Sequence, residues 1–391
     1  MKNNRTFLKK LLNGAEIEWK PLGKVTDIKT GQSVSKNIIA QNPGIYPVIN
    51  SGREPLGFIN EWNTENDPIG ITTRGAGVGS ITWQEGKYFR GNLNYSVTIK
   101  SEYELNVRFL YHILLHFQKE IHNLCSFTGI PALNASELKK LEIPIPPLPV
   151  QTEIVKILDA LTALTSELTS ELTLRRKQYE YYREKLLSEE ELGKVGFEWR
   201  TLGDVAKIQR GASPRPISQY ITDDPNGIPW IKIGDTSLDS KYIENTAQKI
   251  TVEGAEKSRI LKCGDFVMSN SMSYGRPYIL KISGAIHDGW ASISDFENIL
   301  NSDFLYYYLS SNTVQNYWNG KINSSSVSNL NSDIIKSLPI PIPTLNIQIE
   351  IAKTLDKFET LTNSITEGLP LAIEQSQKRY EYYRELLLNF S

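Results

Sequence analysis

Several residues of this chain have types and spacings that could do chemistry. Asp67, followed by Glu85 and Lys87 in a Glu-x-Lys arrangement, carries the acidic pattern with which metal-dependent nucleases hold a water-activating cation. In a chain with 44 acidic residues such spacings arise by chance, and no further ligand supports this one. His112 and His116 stand four apart on a stretch read as helix, which puts both imidazoles on one face. With no HExxH motif and no cysteine partner, they are expected to be a packed or capping pair and not a zinc site. Gly75, Gly77 and Gly79 resemble a cofactor-binding glycine run. They lack the strand-to-helix setting of a nucleotide fold, so a flexible turn, or a loop approaching a nucleic acid, is expected. The Asn/Asp/Ser-Pro-Pro-aromatic motif of adenine methyltransferases is absent, as is a GxxxxGK P-loop. No catalytic, cofactor-binding or metal-binding residue is therefore assigned.

The elements that would position such residues follow from the chain as a whole. Its 391 residues suit two or three domains, and 40% hydrophobic with 22% charged residues is a globular composition. No apolar run is long enough for a membrane span, and the basic start Lys2–Arg5 is not followed by an apolar signal core. Cys125 and Cys263 form no CxxC pair, which with the missing signal implies a reducing cytoplasm and no disulfide framework. The formal net charge of −1 is spread unevenly: +4 over residues 1–148, −2 over 149–197, −1 over 198–345 and −2 over 346–391. That balance does not by itself suggest a nucleic-acid binder, and any phosphate neutralisation must come from local patches or partner chains.

The chain is one pattern written twice. Glu18-Trp19-Lys20-Pro21-Leu22-Gly23, with Val25, Ile28 and Gly31, recurs 180 residues later as Glu198-Trp199-Arg200-Thr201-Leu202-Gly203, with Val205, Ile208 and Gly211. Ile143-Pro144-Ile145-Pro146, with Leu148, Gln151, Glu153, Ile154, Leu158 and Asp159, recurs 197 residues later as Ile340-Pro341-Ile342-Pro343, with Leu345, Gln348, Glu350, Ile351, Leu355 and Asp356. Tyr179-Glu180-Tyr181-Tyr182-Arg183-Glu184 returns 201 residues later as Tyr380-Glu381-Tyr382-Tyr383-Arg384-Glu385. Leu11-Leu12 ahead of Trp19 resembles Leu186-Leu187 ahead of Trp199, so the repeat reads as cyclic.

Each unit opens with a globular part of short β-like runs, such as Ile45-Tyr46-Pro47-Val48-Ile49 and Ile228-Pro229-Trp230-Ile231, broken by Ser51-Gly52, Asn226-Gly227 and Gly264-Asp265 turns. A helical stretch follows late in each, at 109–121 and 303–316. Proline-rich junctions at 144–149 and 339–343 then form stiff boundaries, because proline removes donors and disfavours helix before itself. After them the apolar period changes to that of a long helix. Its packing stripe is Ile154, Leu161, Leu164, Leu168, Tyr179, Tyr182 and Leu186 in the first unit, and Ile351, Phe358, Leu361, Ile365, Tyr380, Tyr383 and Leu387 in the second. Each helix is expected to run for about 40 residues, or about 60 Å. The second stripe has four residues more between Ile365 and Tyr380 than the first has between Leu168 and Tyr179, read as an extra turn that lengthens the helix and kinks at Gly368 and Pro370. The fold class is α+β: a tandem pseudo-twofold repeat of two domains (1–148 and 191–345), separated by two long antiparallel coiled-coil helices (149–190 and 346–391).

At these residues the chain resembles the specificity subunit of type I restriction–modification systems, over essentially its whole length. Thr165-Ser166-Glu167-Leu168-Thr169-Ser170-Glu171-Leu172, two copies of TSEL, is similar to the tandem tetrapeptide in the spacer helix of the type IC branch. The resemblance implies a non-enzymatic subunit. Each globular part would be a target-recognition domain for one half of an asymmetric, two-part site in double-stranded DNA. The helices would fix the gap and dock two modification subunits. S-adenosylmethionine would be bound by those subunits, which methylate adenine; ATP and Mg would serve separate restriction subunits that translocate and cut.

Base reading requires Arg, Lys, Asn, Gln or Ser on exposed loops. The candidates are Lys29, Gln32, Ser33, Lys36, Arg53, Arg74 and Arg90 in the first domain, and Arg210, Arg215, Lys232, Tyr274 and Arg276 in the second. Trp19 and Trp199 are expected to be structural anchors where strands begin, and the repeated Tyr-Glu-Tyr-Tyr-Arg segments to serve the scaffold or the modification-subunit interface. The near-neutral charge also fits a different reading, a pseudo-symmetric protein–protein scaffold that binds no DNA.

Overall fold

The computed structural model describes residues 4–52, 54–237, 240–270, 275–323, 330–364 and 366–390. The chain divides into two compact units, Met1–Glu167 with Ile373–Ser391, and Leu168–Ala372. The division falls inside the TSEL repeat, so each unit takes a globular domain, half of the first long helix and part of the second helical segment.

In unit 1 the strand Glu18–Pro21 pairs antiparallel with Glu142–Ile145, setting Trp19 opposite Pro144. Unit 2 repeats this ribbon with Phe197–Thr201 against Pro339–Pro343, and Trp199 opposite Pro341. The tryptophans sit where the strands begin and remain 43% and 46% exposed. Above the ribbon of unit 1 lies a four-stranded antiparallel sheet in the order Thr26–Thr30, Asn94–Ile99, Ile69–Thr72, Ile81–Trp83. A three-stranded sheet (Phe58–Ile59, Pro43–Ile49, Phe89–Arg90) joins it, with one parallel pair. Unit 2 has two five-stranded sheets, each with one parallel pair. The mixed α+β class expected from the short runs is what the chain forms. The helical stretches are each interrupted: Val107–His116 is followed by Gln118–Asn123, and Ser302–Leu309 by Asn312–Asn323.

The first long helix runs unbroken over 39 residues, Leu148–Leu186, a length of about 58 Å. The second helical segment is two helices, Leu345–Asn363 and Gly368–Leu388. The four extra residues do not extend a helix, as the sequence suggested; they form the break. Ser364 ends the first helix with extended backbone, and its Oγ accepts from the amides of Thr366 and Glu367. Gly368 restarts the chain at φ +81°, where a Cβ would lie 2.6 Å from the carbonyl oxygen of Thr360, so no other residue fits. Pro370 falls in the first turn of the new helix, whose amides need no partner, and therefore does not kink it.

The helices pair antiparallel inside each unit. Thr165 Oγ1 and Ser376 Oγ are 2.9 Å apart in unit 1; in unit 2 Tyr182 stacks on Phe358 at 5.5 Å and Arg176 approaches the carbonyl of Thr362. The stripe is less of a coiled-coil seam than its spacing implied. Ile154 and Leu387, with Tyr380 and Tyr383 beside them, join the core of unit 1, whereas Tyr179, with Leu186, Ile351 and Phe358, joins that of unit 2. Near the middle the buried positions are the small polar residues Thr362 and Ser376, Leu161, Leu168 and Leu361 are half-buried, and Leu164 is 38% exposed and packs into neither core. Spacing alone makes Leu164 a seam residue; its exposure shows that spacing does not decide packing here. Ile365 lies outside the described residues. Leu186-Leu187 also differ from Leu11-Leu12 in setting: the former close the long helix, while the latter end a separate helix, Asn4–Leu12, whose counterpart is Glu189–Val195.

One arrangement ties each domain to its helix. Gln151 is fully buried in the first turn of the long helix. Its Oε1 accepts from the amide of Asn106 at 2.8 Å, and its Nε2 donates to the carbonyls of Pro146 at 2.8 Å and Glu104 at 3.2 Å. Gln348 repeats this in unit 2, accepting from Asn301 at 2.8 Å and donating to Pro343 at 2.8 Å and Ile299 at 3.0 Å. Asn106 and Asn301 in turn cap the helices Val107–His116 and Ser302–Leu309 with their own side chains. Two turns along the helix, Asp159 Oδ1 accepts from Arg108 Nε and pairs with His112 Nε2, both at 2.8 Å. Its counterpart Asp356 accepts from Lys241 Nζ at 3.0 Å and from the Tyr307 hydroxyl at 2.5 Å.

Replacing either glutamine by leucine strands one part-buried amide, one part-buried carbonyl and the buried carbonyl of Pro146 or Pro343, at about 1–3 kcal/mol for each group that water cannot reach. Gln151→Leu and Gln348→Leu are each expected to lower unfolding stability in urea by about 2–5 kcal/mol, while Glu153→Gln on the same turn changes it by less than about 0.5 kcal/mol. Equal effects at all three positions would contradict the docking role.

Candidate nucleic-acid interface

In both units the first strand of the main sheet ends on a glycine that lies against a backbone carbonyl. A Cβ on Gly31 would stand 2.2 Å from the carbonyl oxygen of Arg90, and one on Gly211 would stand 2.1 Å from that of His287. Each contact fixes where the following loop leaves the sheet. The repeat therefore presents two equivalent loops, residues 32–36 and 212–216, with different side chains.

In unit 1, Lys29, Gln32, Ser33 and Lys36 are all exposed. Ser35 caps the short helix Lys36–Gln41 by accepting from the amide of Ile38 at 3.4 Å. Lys29 and Gln32 line a cleft of about 380 Å³ together with Asn63, Glu65 and Asp67. Its wall is made by Arg90, and here the sequence reading needs correction: Arg90 is 3% exposed and is not on a free loop. Its Nη1 donates to the carbonyls of Ile69 at 3.0 Å and Tyr95 at 2.9 Å and to Asn94 Oδ1 at 2.7 Å. Its Nη2 donates to the carbonyl of Asp67 at 2.7 Å and to the Tyr88 hydroxyl. Burial pushes the Tyr88 phenol up to about 12, which keeps it protonated and donating to the carbonyl of Asp67 at 2.7 Å. Arg90 is thus a strut beneath the cleft. Arg74 is exposed on a separate turn, bridged to Ala132, and Arg53 lies outside the described residues.

In unit 2 the loop gathers around Asp288. Arg210 Nε donates to the Asp288 carbonyl at 3.0 Å, and the Arg215 guanidinium, 84% exposed, lies 3.6 Å from its carboxylate. Ser213 Oγ donates to Oδ1 at 2.9 Å, and His287 Nε2 is 3.1 Å from the same oxygen. Burial alone would raise the Asp288 pKa; the Ser213 hydrogen bond and the charges of His287, Arg210 and Arg215 outweigh it and hold the carboxyl below its usual range. The result is an ionised acceptor that positions two arginines at a loop edge, where guanidinium groups suit guanine and phosphate. Lys232 is turned inward, with Nζ 2.7 Å from Gln248 Oε1, so it braces its strand end and does not reach outward. Arg276 is half-buried over the Tyr278 ring and lines another cleft; Tyr274 lies outside the described residues. Ser213, His287 and Asp288 were not legible in the sequence, because only the strand pairing of Lys207–Arg210 with Trp290–Ser294 brings them to the loop.

The other chemistry-bearing residues have structural partners. Asp67 accepts from Thr98 Oγ1 at 2.9 Å and pairs with Arg90, Glu85 accepts from the Trp83 indole at 2.9 Å, and Lys87 lies over the Trp62 ring. His112 is buried, which lowers its pKa in spite of the Asp159 hydrogen bond; His116 is likewise lowered by burial, with Glu385 at 3.5 Å. Gly75 and Gly79 adopt positive φ in a turn. Among the described residues, no group of three His, Cys, Asp or Glu side chains is placed to hold a metal, both cysteines are free, and no helix is long and apolar enough to cross a membrane.

Two α+β domains of one design, each presenting a loop from the same strand end and each docked on a long helix, define a duplicated recognition chain. The family described as the type I restriction modification DNA specificity domain matches it twice, over residues 15–174 and 194–375, and the chain belongs to this family of DNA-recognition subunits. It is 41% identical to a putative type I restriction enzyme specificity subunit of Haemophilus influenzae, over 100% of both chains. It is 33% identical to the EcoR124I/EcoR124II specificity subunit of Escherichia coli, over 98% of this chain and 97% of that one. The fold is shared with the S subunit of M. genitalium (TM-score 0.62, 18% identity, 97% and 98% coverage) and with HsdS from Thermoanaerobacter tengcongensis (TM-score 0.53, 17% identity, 96% and 97% coverage). Family membership decides for DNA recognition over the scaffold that charge alone also allowed, and it places the chain among specificity subunits, which are not the catalytic ones.

Arg90 and Arg215 separate structural from recognition roles. Arg90→Met removes five hydrogen bonds from the inside of the sheet, leaving Asn94 Oδ1 and the Ile69 carbonyl without this donor, and is expected to cost about 3–5 kcal/mol of stability. Arg215→Ala is expected to change stability by less than about 0.5 kcal/mol and to weaken DNA binding. Urea unfolding and binding measured on both variants check this; a stable Arg90→Met chain would remove the strut.

Proposed function

We propose that the chain reads a two-part DNA site for a type I restriction–modification complex of the tandem-tetrapeptide branch. Each unit binds one half-site through the loop leaving its Gly31 or Gly211 strand end. The observation that carries this is the pairing of a repeated exit with a different loop: the two glycines meet the same backbone contact, yet Gln32-Ser33-Val34-Ser35-Lys36 follows it in one unit and Ala212-Ser213-Pro214-Arg215-Pro216 in the other. Different side chains on the same exit suit two different half-sites.

The helices set the gap and dock two modification subunits. Tyr181 and Tyr382, equivalent in the repeat, are 58% and 49% exposed, as a partner present twice would use them. Those subunits bind S-adenosylmethionine and methylate adenine; restriction subunits use ATP and Mg to translocate and cleave. The chain itself supplies addressing, in the cytoplasm where the host DNA lies. Its near-neutral charge means that partners supply much of the phosphate neutralisation.

The test is binding by the purified chain assembled with modification subunits, across a library of duplexes. A two-part sequence should bind roughly 10³-fold or more tighter than unrelated duplexes. Equal affinity for every duplex would overturn the reading.

A further inference from the structure

Unit 2 contains a cleft of about 540 Å³ between its domain and the helices. Arg176, Tyr179 and Arg183 line it from one stripe of the long helix, Arg276 from the start of the strand Pro277–Leu280, and Tyr306 from the helix Ser302–Leu309. Tyr306 is only 8% exposed, and its hydroxyl has no hydrogen-bond partner among the described residues. Its side chain lines the cleft. Burial raises its pKa, which keeps it a donor. Arg176 is exposed, and its guanidinium reaches the carbonyl of Thr362 at a long 3.5 Å. Arg183 gives Nε and Nη2 to Glu184. The one carboxylate in the lining, Glu359, already accepts from the Tyr307 hydroxyl at 2.7 Å.

The lining carries the guanidinium groups of Arg176, Arg183 and Arg276 against the single carboxylate of Glu359, an excess of positive charge that suits an oxyanion. Its position selects the source. Asn270, at the end of the strand that carries the hairpin, donates from its backbone to Gly289 at 3.2 Å and from its side chain to the Asp288 carbonyl at 3.3 Å. Across the same hairpin, Gly275 accepts from Gln315 Nε2 at 3.1 Å beside the cleft. Gly275 donates to the carbonyl of Ser269 at 3.1 Å, so the paired ends of the strands Phe266–Ser269 and Pro277–Leu280 touch Asp288 of the loop cluster through Asn270 and line the cleft through Arg276 and Pro277. We propose that the cleft seats a phosphate of the DNA backbone flanking the bases that unit 2 reads, with Arg176 and Tyr306 as its donors. This rests on the DNA-reading function proposed above.

A seated phosphate adds affinity without sequence information and adds about 0.9 to the logarithmic salt slope of binding. The experiment uses the chain assembled with modification subunits, with Tyr306→Phe, Arg176→Gln and both together, measured against cognate and unrelated duplexes over a salt series. Tyr306→Phe removes one oxygen atom, and its thermal midpoint confirms an intact fold. The double variant is expected to lose roughly 3- to 30-fold affinity for both duplexes equally, with its salt slope reduced by about 0.9 and its specificity ratio unchanged. Wild-type specificity with variants of unchanged affinity and slope overturns the phosphate seat and leaves the DNA-reading function standing. Variants that keep DNA affinity but lose modification subunits also overturn it, in favour of an acidic protein segment. Inorganic phosphate that raises the wild-type midpoint but not that of the double variant, without competing with DNA, shows a free-anion site and overturns it too. A wild-type complex that prefers no duplex overturns the function reading and this inference with it.

Discussion

A glutamine buried in the first turn of a helix is an expensive residue unless every polar atom of its amide is used. Gln151 and Gln348 are used the same way, each joining three strands of logic in one side chain: the proline-rich exit of the domain, the loop before the domain's helix, and that helix's asparagine cap. Asp159 and Asp356 add a charged contact two turns further along. The rest of the structure depends on this docking, because a domain free to rock on its helix could not hold its loop at a defined place along DNA.

The two units keep this scaffold and change nearly everything it supports. Even the charged contact is rebuilt. In unit 1 Arg108 and His112 meet the helix carboxylate from one domain helix; in unit 2 the position of Arg108 is taken by Asp303, and the cation comes instead from Lys241, which bridges Asp303 at 2.7 Å and Asp356 at 3.0 Å. The same division holds at the loops. Arg90 stabilises its loop exit from inside the sheet, whereas His287, whose carbonyl meets Gly211 as Arg90's meets Gly31, braces its loop through Asp288 and packs on Trp230. Constant docking with variable loops is how one design can serve two sequences.

What the sequence revealed follows from range. The strand starts at Trp19 and Trp199, the proline junctions and the unbroken Leu148–Leu186 helix were legible because local propensity and period decide them; the pairing of those strands with the junctions was not, because it joins residues more than 100 positions apart. The break at 364–367 was readable only as a kink, since the contact that demands Gly368, the Thr360 carbonyl, comes from the preceding helix turning back on it. Leu164 kept the right spacing but met no large partner, and Arg90 carried the right side chain but sat inside a sheet. Ser213, His287 and Asp288 escaped notice because residues some 75 positions apart meet only through strand pairing. Charge gave no guide to function, since a net of −1 conceals both loops.

The division of labour between loops that read and a helix that spaces is tested most directly by mapping N6-methyladenine across the genome of cells carrying this chain and its partner subunits. The map is then repeated with a third Thr-Ser-Glu-Leu inserted after Leu172. One added helical turn lengthens the helix by about 6 Å, on the order of one or two base-pair steps. The account predicts a two-part methylated motif whose halves stay the same while the gap grows. An undivided motif, or altered halves with an unchanged gap, would contradict it.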